Sequence, residues 1–272
     1  MDQHHNLPTA HAHNRRAWDR FVEDKQRFTR PARDEDVRNP LGKVDSLGWL
    51  GGDIRGKAVL CLGAGGGRQS IIYASAGADV TVVDISPKML ELDREVAAER
   101  QLTIRTVEAS MDHMPMLPAN AFDIVIHPVS TCYVPAIVPV YQEVARVLRQ
   151  QGTYISQHKT PTSLQTDITP AQQGYEIVEP YYREGPLPPV VGSPHREEGT
   201  LEYLHRWEEI LGGLCRCGFV IEDVVEPLHA EPTAERGAFK HRSVYVAPYV
   251  RIKARRIGPT AEVQPSSLWT PG

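Results

Sequence analysis

The chain has 272 residues, 41% hydrophobic and 24% charged, with a formal net charge of -4. That length suits one large α/β domain with an embellishment, and the charge balance argues against a nucleic-acid binder that works through bulk positive charge. No apolar run approaches the roughly 20 residues that span a bilayer, and the N-terminus lacks the apolar core of a secretory signal, so no membrane association and a cytoplasmic location are expected.

Four cysteines, Cys61, Cys132, Cys215 and Cys217, are too few for a disulfide framework and are expected to be reduced. Cys215 and Cys217 fall on different faces of a helical-looking segment, and no metal site is expected there.

In chain order, Trp18, Phe21, Val22, Lys25 and Phe28 fall on helical spacing, so an amphipathic helix is expected over 14–28. A second short helix is expected around 44–50. AVLCL (58–62) reads as a buried strand, followed by the glycine run GAGGG and a helix to about residue 76. DVTVVD (79–84) reads as the next strand, and a helix then opens with Ser86 as its cap and Pro87 at its first position. TIRTVE (103–108) and FDIVIH (122–127) are the third and fourth strands, a helix spans about 139–149, and GTYISQH (152–158) is the fifth strand. Strands alternating with helices imply parallel βαβ units.

From Lys159 to Thr200 the rhythm is lost among seven prolines interleaved with Tyr175, Tyr181 and Tyr182, and a loop of that length reads as a lid. A helix over about 204–217, a strand over 219–226 and a last strand from about 243 to 253 follow. The basic run RIKARR (251–256) reads as a strand end with solvated arginines, and the polar tail 258–272 as disordered.

The glycine run holds the first functional signal. Gly63-Ala64-Gly65-Gly66-Gly67 reads G-x-G-x-G, and Arg68 stands where a dinucleotide fingerprint needs its third glycine. A bulky arginine there speaks against NAD or FAD. The tighter turn suits a nucleoside ligand without a pyrophosphate, such as S-adenosylmethionine. Asp84 ends the next strand, 21 residues after Gly63, where a carboxylate can accept hydrogen bonds from ribose hydroxyls.

VLCLGAGGGRQS, VTVVDISPKML, VEASMDHMP, FDIVIHPVSTCYVP and EVARVLRQQGTYI together resemble the consecutive motifs of class I S-adenosylmethionine-dependent methyltransferases, over about 58–157. NRRAWDRF, HPVSTCYVP and SVYVAPYVRIKARR are similar to a bacterial subgroup of type-11-like methyltransferases, which carries no substrate with it. The resemblance implies a Rossmann-like, doubly wound α/β fold with a mostly parallel seven-stranded sheet and an antiparallel last strand. It also implies a helical cap over 1–56, a methyltransferase domain over 57–257 and a lid inserted at about 159–200.

For individual residues, the resemblance implies that Gly63, Ala64, Gly65 and Gly67 approach the methionine part of the cofactor and that Asp84 holds the ribose. Ile85 would pack on the adenine, Ser110 and Met111 would line its pocket, the backbone carbonyl of His127 would meet the methionine ammonium, and Trp18 would close over the cofactor. Two positions depart from the family pattern, because Cys61 and Ser110 stand where acids are common, and Asp112 and Glu108 are nearby substitutes.

If the acceptor must lose a proton, His127, His158 and Tyr133 are the candidate bases, since they sit at or just after the carboxyl ends of the fourth and fifth strands. An NPPY-type motif is absent after the fourth strand, so a small-molecule acceptor methylated on O, N or S is expected. A non-catalytic protein of the same fold that binds S-adenosylmethionine is the alternative.

Overall fold

Short runs of Val, Ile and Leu, buried on both faces, set the centre of the molecule. The structure is a computed structural model that describes residues 7–258. β1 (Ala58–Leu62), β2 (Asp79–Asp84), β3 (Ile104–Glu108), β4 (Phe122–His127) and β5 (Leu148–Lys159) pair in parallel. β7 (Tyr249–Arg256) lies antiparallel between β5 and β6 (Phe219–Val225), and the sheet order is β3-β2-β1-β4-β5-β7-β6. The expected α/β class and antiparallel last strand are present. The chain leaves β3 and re-enters on the other side of β1, so β1 and β4 flank the point where the winding reverses. Open α/β sheets place ligands at such a point, above the carboxyl ends of the strands.

Alternation along β1 divides the core. Leu60 and Leu62 pack with Val125, Tyr154, Ile252 and the helix residues Val140, Tyr141 and Val144 on one face. Val59 and Cys61 pack with Val80, Val82, Ile124, Ile126, Tyr73 and Leu90 on the other. α4 (Gln69–Ser75) and α5 (Pro87–Glu99) cover the second face, and α6 (Val138–Val147) covers the first.

Three helices and the last strand differ from the sequence expectation. α1 (Leu7–Glu23) starts and stops earlier than 14–28, and Lys25 adopts a left-handed φ of 52° that ends the helix before a single 3-10 turn at Arg27–Thr29. The helix expected at 44–50 is displaced to α2 (Asp34–Arg38) and α3 (Pro40–Val44), where Pro40 opens the helix and the Asn39 side chain accepts from the Gly42 amide. Asp45 turns the following chain instead, accepting the Leu50 amide at 3.0 Å.

The helix expected from 204 begins as a π-helical turn at Glu208–Gly212 and continues as α8 (Gly213–Arg216). Residues ahead of it stay extended because the Tyr203 amide donates to the Cys132 carbonyl and the Leu187 amide to the Glu202 carbonyl, both at 2.7 Å. The last strand starts at Tyr249 rather than 243, because α9 (Phe239–Arg242) delivers a buried guanidinium to α7 (Pro161–Gln165). Arg242 donates there to the Ser163, Thr166 and Asp167 carbonyls at 2.7, 2.8 and 3.0 Å. The tail from residue 259 lies outside the described residues.

The irregular stretch after α7 is anchored rather than free. Leu164, Leu187 and Leu204 form a small buried cluster, Tyr175 hydrogen-bonds His241, and Tyr181 accepts from the Trp207 amide.

α1 lies across the carboxyl edge of the sheet and is tied on both sides. Buried Asn14 donates to the Tyr133 and Leu201 carbonyls at 2.9 and 3.0 Å and accepts the Leu201 amide at 2.8 Å. Ser86 donates to Asp19 at 2.6 Å, and Trp18 meets Tyr133 edge to face at 5.4 Å. Truncating Asn14 leaves three buried backbone groups without partners. Asn14→Ala is expected to weaken docking of α1 by about 2–3 kcal/mol, read as a roughly 30- to 150-fold loss of hydrogen-exchange protection along α1 while β1 and β4 stay protected.

Candidate cofactor site

The glycine turn after β1 is held from below by two carboxylates. Asp84, at the end of β2, accepts the Gly65 amide through Oδ2 and the Ser86 amide through Oδ1, each at 2.9 Å. Asp93, fully buried on α5, accepts the Gly66 amide at 2.9 Å and the Ser70 hydroxyl. Burial raises the pKa of Asp84 in spite of its amide donors, and it pushes Asp93 up to about 7 against the bonds from Ser70 and Gly66. Asp93 also lies close enough to Cys61 to help raise its thiol pKa, after burial itself. A carboxylate therefore supports the turn from α5, while β1 carries the uncharged Cys61.

Three glycines are required by space, Gly65 among them because a Cβ there would sit 2.7 Å from Met89 Cβ. Gly63 has φ +56°, and a Cβ there would sit 2.6 Å from Ser130 Oγ. Gly67 has φ +69°, and its Cβ would crowd the Leu92 carbonyl at 3.1 Å, so the turn packs directly on α5.

Above the turn lies a cavity of about 590 Å³, counting the open space at its mouth. Its wall includes Trp18, Gly63, Asp84, Ile85, Ser110, Met111 and Tyr133 from the sequence-derived set. Ala64, Gly65 and Gly67 are not in that wall; Gly65 acts through its amide on Asp84 and Gly67 through its contact with α5.

Ser110 has a specific polarity. Its hydroxyl donates to Asp112 Oδ1 at 2.5 Å, and the other oxygen of Asp112 lies 3.1 Å from His11 Nε2. Burial would raise the Asp112 pKa, but the bonds from His11 and Ser110 leave it lowered. With its proton committed to a carboxylate, Ser110 Oγ faces the cavity as a hydrogen-bond acceptor. Asp112 thus acts through Ser110. Glu108, the other nearby acid, pairs with Arg15 of α1 at 2.8 Å.

The three candidate bases are placed differently from that expectation. The His127 ring is 1% exposed and points under the sheet, with Nδ1 2.7 Å from Tyr154 Oη and its pKa lowered by burial to about 3. The His158 ring is clasped between Thr131 Oγ1 and Ser156 Oγ, each at 2.8 Å, and burial lowers its pKa well below the usual value. Neither residue is in the cavity wall, although His127 is among the residues that line a second cleft beside it. Both imidazoles are therefore neutral hydrogen-bonding groups of the core, since the solvation a charged ring needs is absent.

Tyr133 does reach the cavity, but burial and then the charge of Glu197 raise its phenol well above the usual value, and it donates to Glu197 Oε2 at 2.7 Å. Glu197 belongs to a buried network. Lys159, at the end of β5, lies 2.7 Å from Glu197 and contacts Glu202, which also pairs with Arg196. Burial would lower the Lys159 pKa, and the neighbouring thiol and carboxylates raise it instead, so the ammonium stays charged and fastens the segment at 197–202 to β5.

Sequence reasoning missed Asp93, Asn14 and His11. Asp93 had a readable signal, an acid inside the apolar stripe of Met89, Leu90, Val96 and Ala97 on α5. Asn14 and His11 had none, because their partners lie 187 and 99 residues away.

The raised folded pKa of Asp93, above the unfolded value of about 3.9, means that the folded state retains this proton longer, so its contribution to stability is lost as pH rises from about 4 through 7. Asp93→Asn keeps that side chain neutral throughout. Chemical denaturation at pH 4.5 and pH 8 is expected to show wild type losing on the order of 3–4 kcal/mol more than the variant across this interval.

Residues 60–156 match the family described as Methyltransferase domain. The chain is 35% identical over 229 residues to the uncharacterized methyltransferase YbaJ of Bacillus subtilis (strain 168), covering 79% of this chain and 89% of that protein. It is 31% identical over 118 residues to a ubiquinone biosynthesis O-methyltransferase of Actinobacillus pleuropneumoniae serotype 7, covering 42% of this chain and 50% of that one. Its fold matches an S-adenosylmethionine-dependent methyltransferase from Mesorhizobium loti with a TM-score of 0.63 at 21% identity, covering 81% of this chain and all of the other. With a glycine turn under a cavity at the switch point of the sheet, and a relative matched along most of its length, the chain belongs to the class I S-adenosylmethionine-dependent methyltransferase family.

Proposed function

We propose that this enzyme methylates an oxygen, nitrogen or sulfur atom of a small-molecule acceptor in the cytoplasm. The observation that carries the reading is the cover over the cavity. α1 is stitched across it by Asn14, by Ser86 with Asp19, and by Trp18 against Tyr133. A covered site of this size suits a small metabolite better than a polymer segment, and the acidic balance gives a nucleic acid no electrostatic footing. The likeness to an O-methyltransferase of ubiquinone biosynthesis supports a small acceptor as well. The cytoplasmic reading rests on four unpaired cysteines; no helix among the described residues is long and apolar enough to cross a membrane.

The residues present fit S-adenosylmethionine. Asp84 has lone pairs left for the ribose hydroxyls after bonding two amides, and Ser110 Oγ is an acceptor matched to the adenine amino group. Ile85, Met89 and Met111 supply apolar contact for the base, and the missing Cβ of Gly63 leaves room beside Ser130. When bound, the sulfonium supplies an electrophilic methyl carbon that an acceptor lone pair attacks, while the C–S bonding pair stays on sulfur.

The chain's own contribution is positioning and exclusion of water. Trp18 and Tyr133 close the wall, and the Lys159–Glu197 pair holds Tyr133 in place. His127 and His158 are buried away from the cavity and Tyr133 keeps its proton, so an acceptor that needs no side-chain base fits this arrangement best.

Calorimetric titration with S-adenosylhomocysteine is expected to show binding, with none for NAD. Asp84→Ala should weaken that binding by about 1.5–3 kcal/mol, a roughly 10- to 150-fold rise in Kd, through loss of a charged acceptor. Equal affinity in the variant would overturn the placement of the ribose. Methylation of protein or RNA, and of no metabolite, would overturn the acceptor class.

A further inference from the structure

A second cleft opens beside the cofactor cavity, between α3 with its following turn, the start of α4 and the carboxyl ends of β4 and β5, with a volume of about 1070 Å³ counting its mouth. The two spaces meet at adjacent residues. Pro128 lines the cleft while Val129 and Ser130 line the cavity, and Arg68 stands on the cleft side of the glycine turn whose Gly63 faces the cavity.

The chemistry of the cleft is distinctive. Arg251, on β7, donates through Nε to Gln157 at 2.7 Å, and neither it nor the exposed Arg68 forms an ion pair with a carboxylate among the described residues. Most other cations near this sheet face are paired: Lys43 with Asp36 at 2.7 Å, Lys253 with Glu222 at 3.2 Å, and Arg255 with Glu222. Lys43, Arg68, Arg251 and Asp45 are the charged residues of the cleft wall, and with Lys43 paired to Asp36 the two guanidiniums that have no carboxylate partner leave the wall net positive. Ile72, Ile126 and Ile155 make an apolar floor.

Resting on the proposed methyltransferase reading, we propose that this cleft is the acceptor site and that the acceptor is a small organic acid. Its carboxylate is held by Arg68 and Arg251, and its apolar body lies over the isoleucine floor. A guanidinium fork matches a carboxylate geometrically, and the isoleucine floor offers an apolar body contact that inorganic phosphate cannot make. The acceptor's nucleophilic atom supplies the lone pair for the new bond, the sulfur keeps the electrons of the bond that breaks, and any proton on the nucleophile leaves to water at the open mouth.

Benzoate is the probe, with methyl benzoate and inorganic phosphate as comparisons, titrated by NMR into the protein saturated with S-adenosylhomocysteine. Benzoate is expected to bind, methyl benzoate and phosphate to bind at least about tenfold more weakly, and Arg251→Met and Arg68→Met each to weaken benzoate about tenfold. S-Adenosylhomocysteine affinity and the thermal melt are expected to stay at wild-type values in both variants. Arg251→Lys should recover part of the binding, because it restores the charge without the fork. Benzoate binding that neither variant alters, tighter binding of phosphate, or no benzoate binding to a protein that still takes S-adenosylhomocysteine would each overturn the acceptor assignment. Failure to bind S-adenosylhomocysteine would instead overturn the reading on which it rests.

Discussion

Two buried carboxylates under one glycine turn are the constraint from which the site follows. Asp84 and Asp93 each accept a backbone amide of the turn, at Gly65 and Gly66, and each carries a pKa raised by burial. Burying two acids side by side costs free energy that only hydrogen bonding offsets. Their placement fixes the backbone of 63–67 against α5, and that turn presents Gly63 to the cavity. The family's common acid on β1 is absent, and the same turn is supported from the neighbouring helix.

The cavity is then closed by contacts that are remote in sequence. α1, the loop at 130–134 and the segment at 197–202 meet at Asn14 and Tyr133, and the Lys159 ammonium among Glu197 and Glu202 holds that junction to β5. A buried charge network of this kind contributes little net stability, but breaking one partner is costly, so it favours one arrangement of the cover over others. The histidines nearest the strand ends serve the same end, as neutral groups that satisfy Tyr154, Thr131 and Ser156.

Much of this was legible before folding. The alternation of β-branched runs and amphipathic helices, the glycine spacing and Asp84 at a strand end are local patterns with local physical causes, and the parallel strands follow from them, whereas the antiparallel last strand came only with the family resemblance. The boundaries that shifted did so where a distant group intervened, as with the buried Arg242 that makes α9 instead of strand. His127 and His158 show the limit most plainly. Their position at strand ends was readable, but the direction of their rings was not, because the side to which a strand residue points depends on which face its helices cover.

The sequence by itself determined the class of fold, the glycine turn after β1 and the acid at the end of β2, because each depends on steric and hydrogen-bonding preferences within a few residues. Only the tertiary structure decided that Asp93 supports the turn, that Ser110 is made an acceptor by Asp112, and that Arg68 and Arg251 face one cleft. Those pairings join residues far apart in the chain. Long-range packing alone sets their distances, and with them the local dielectric and the protonation each group keeps.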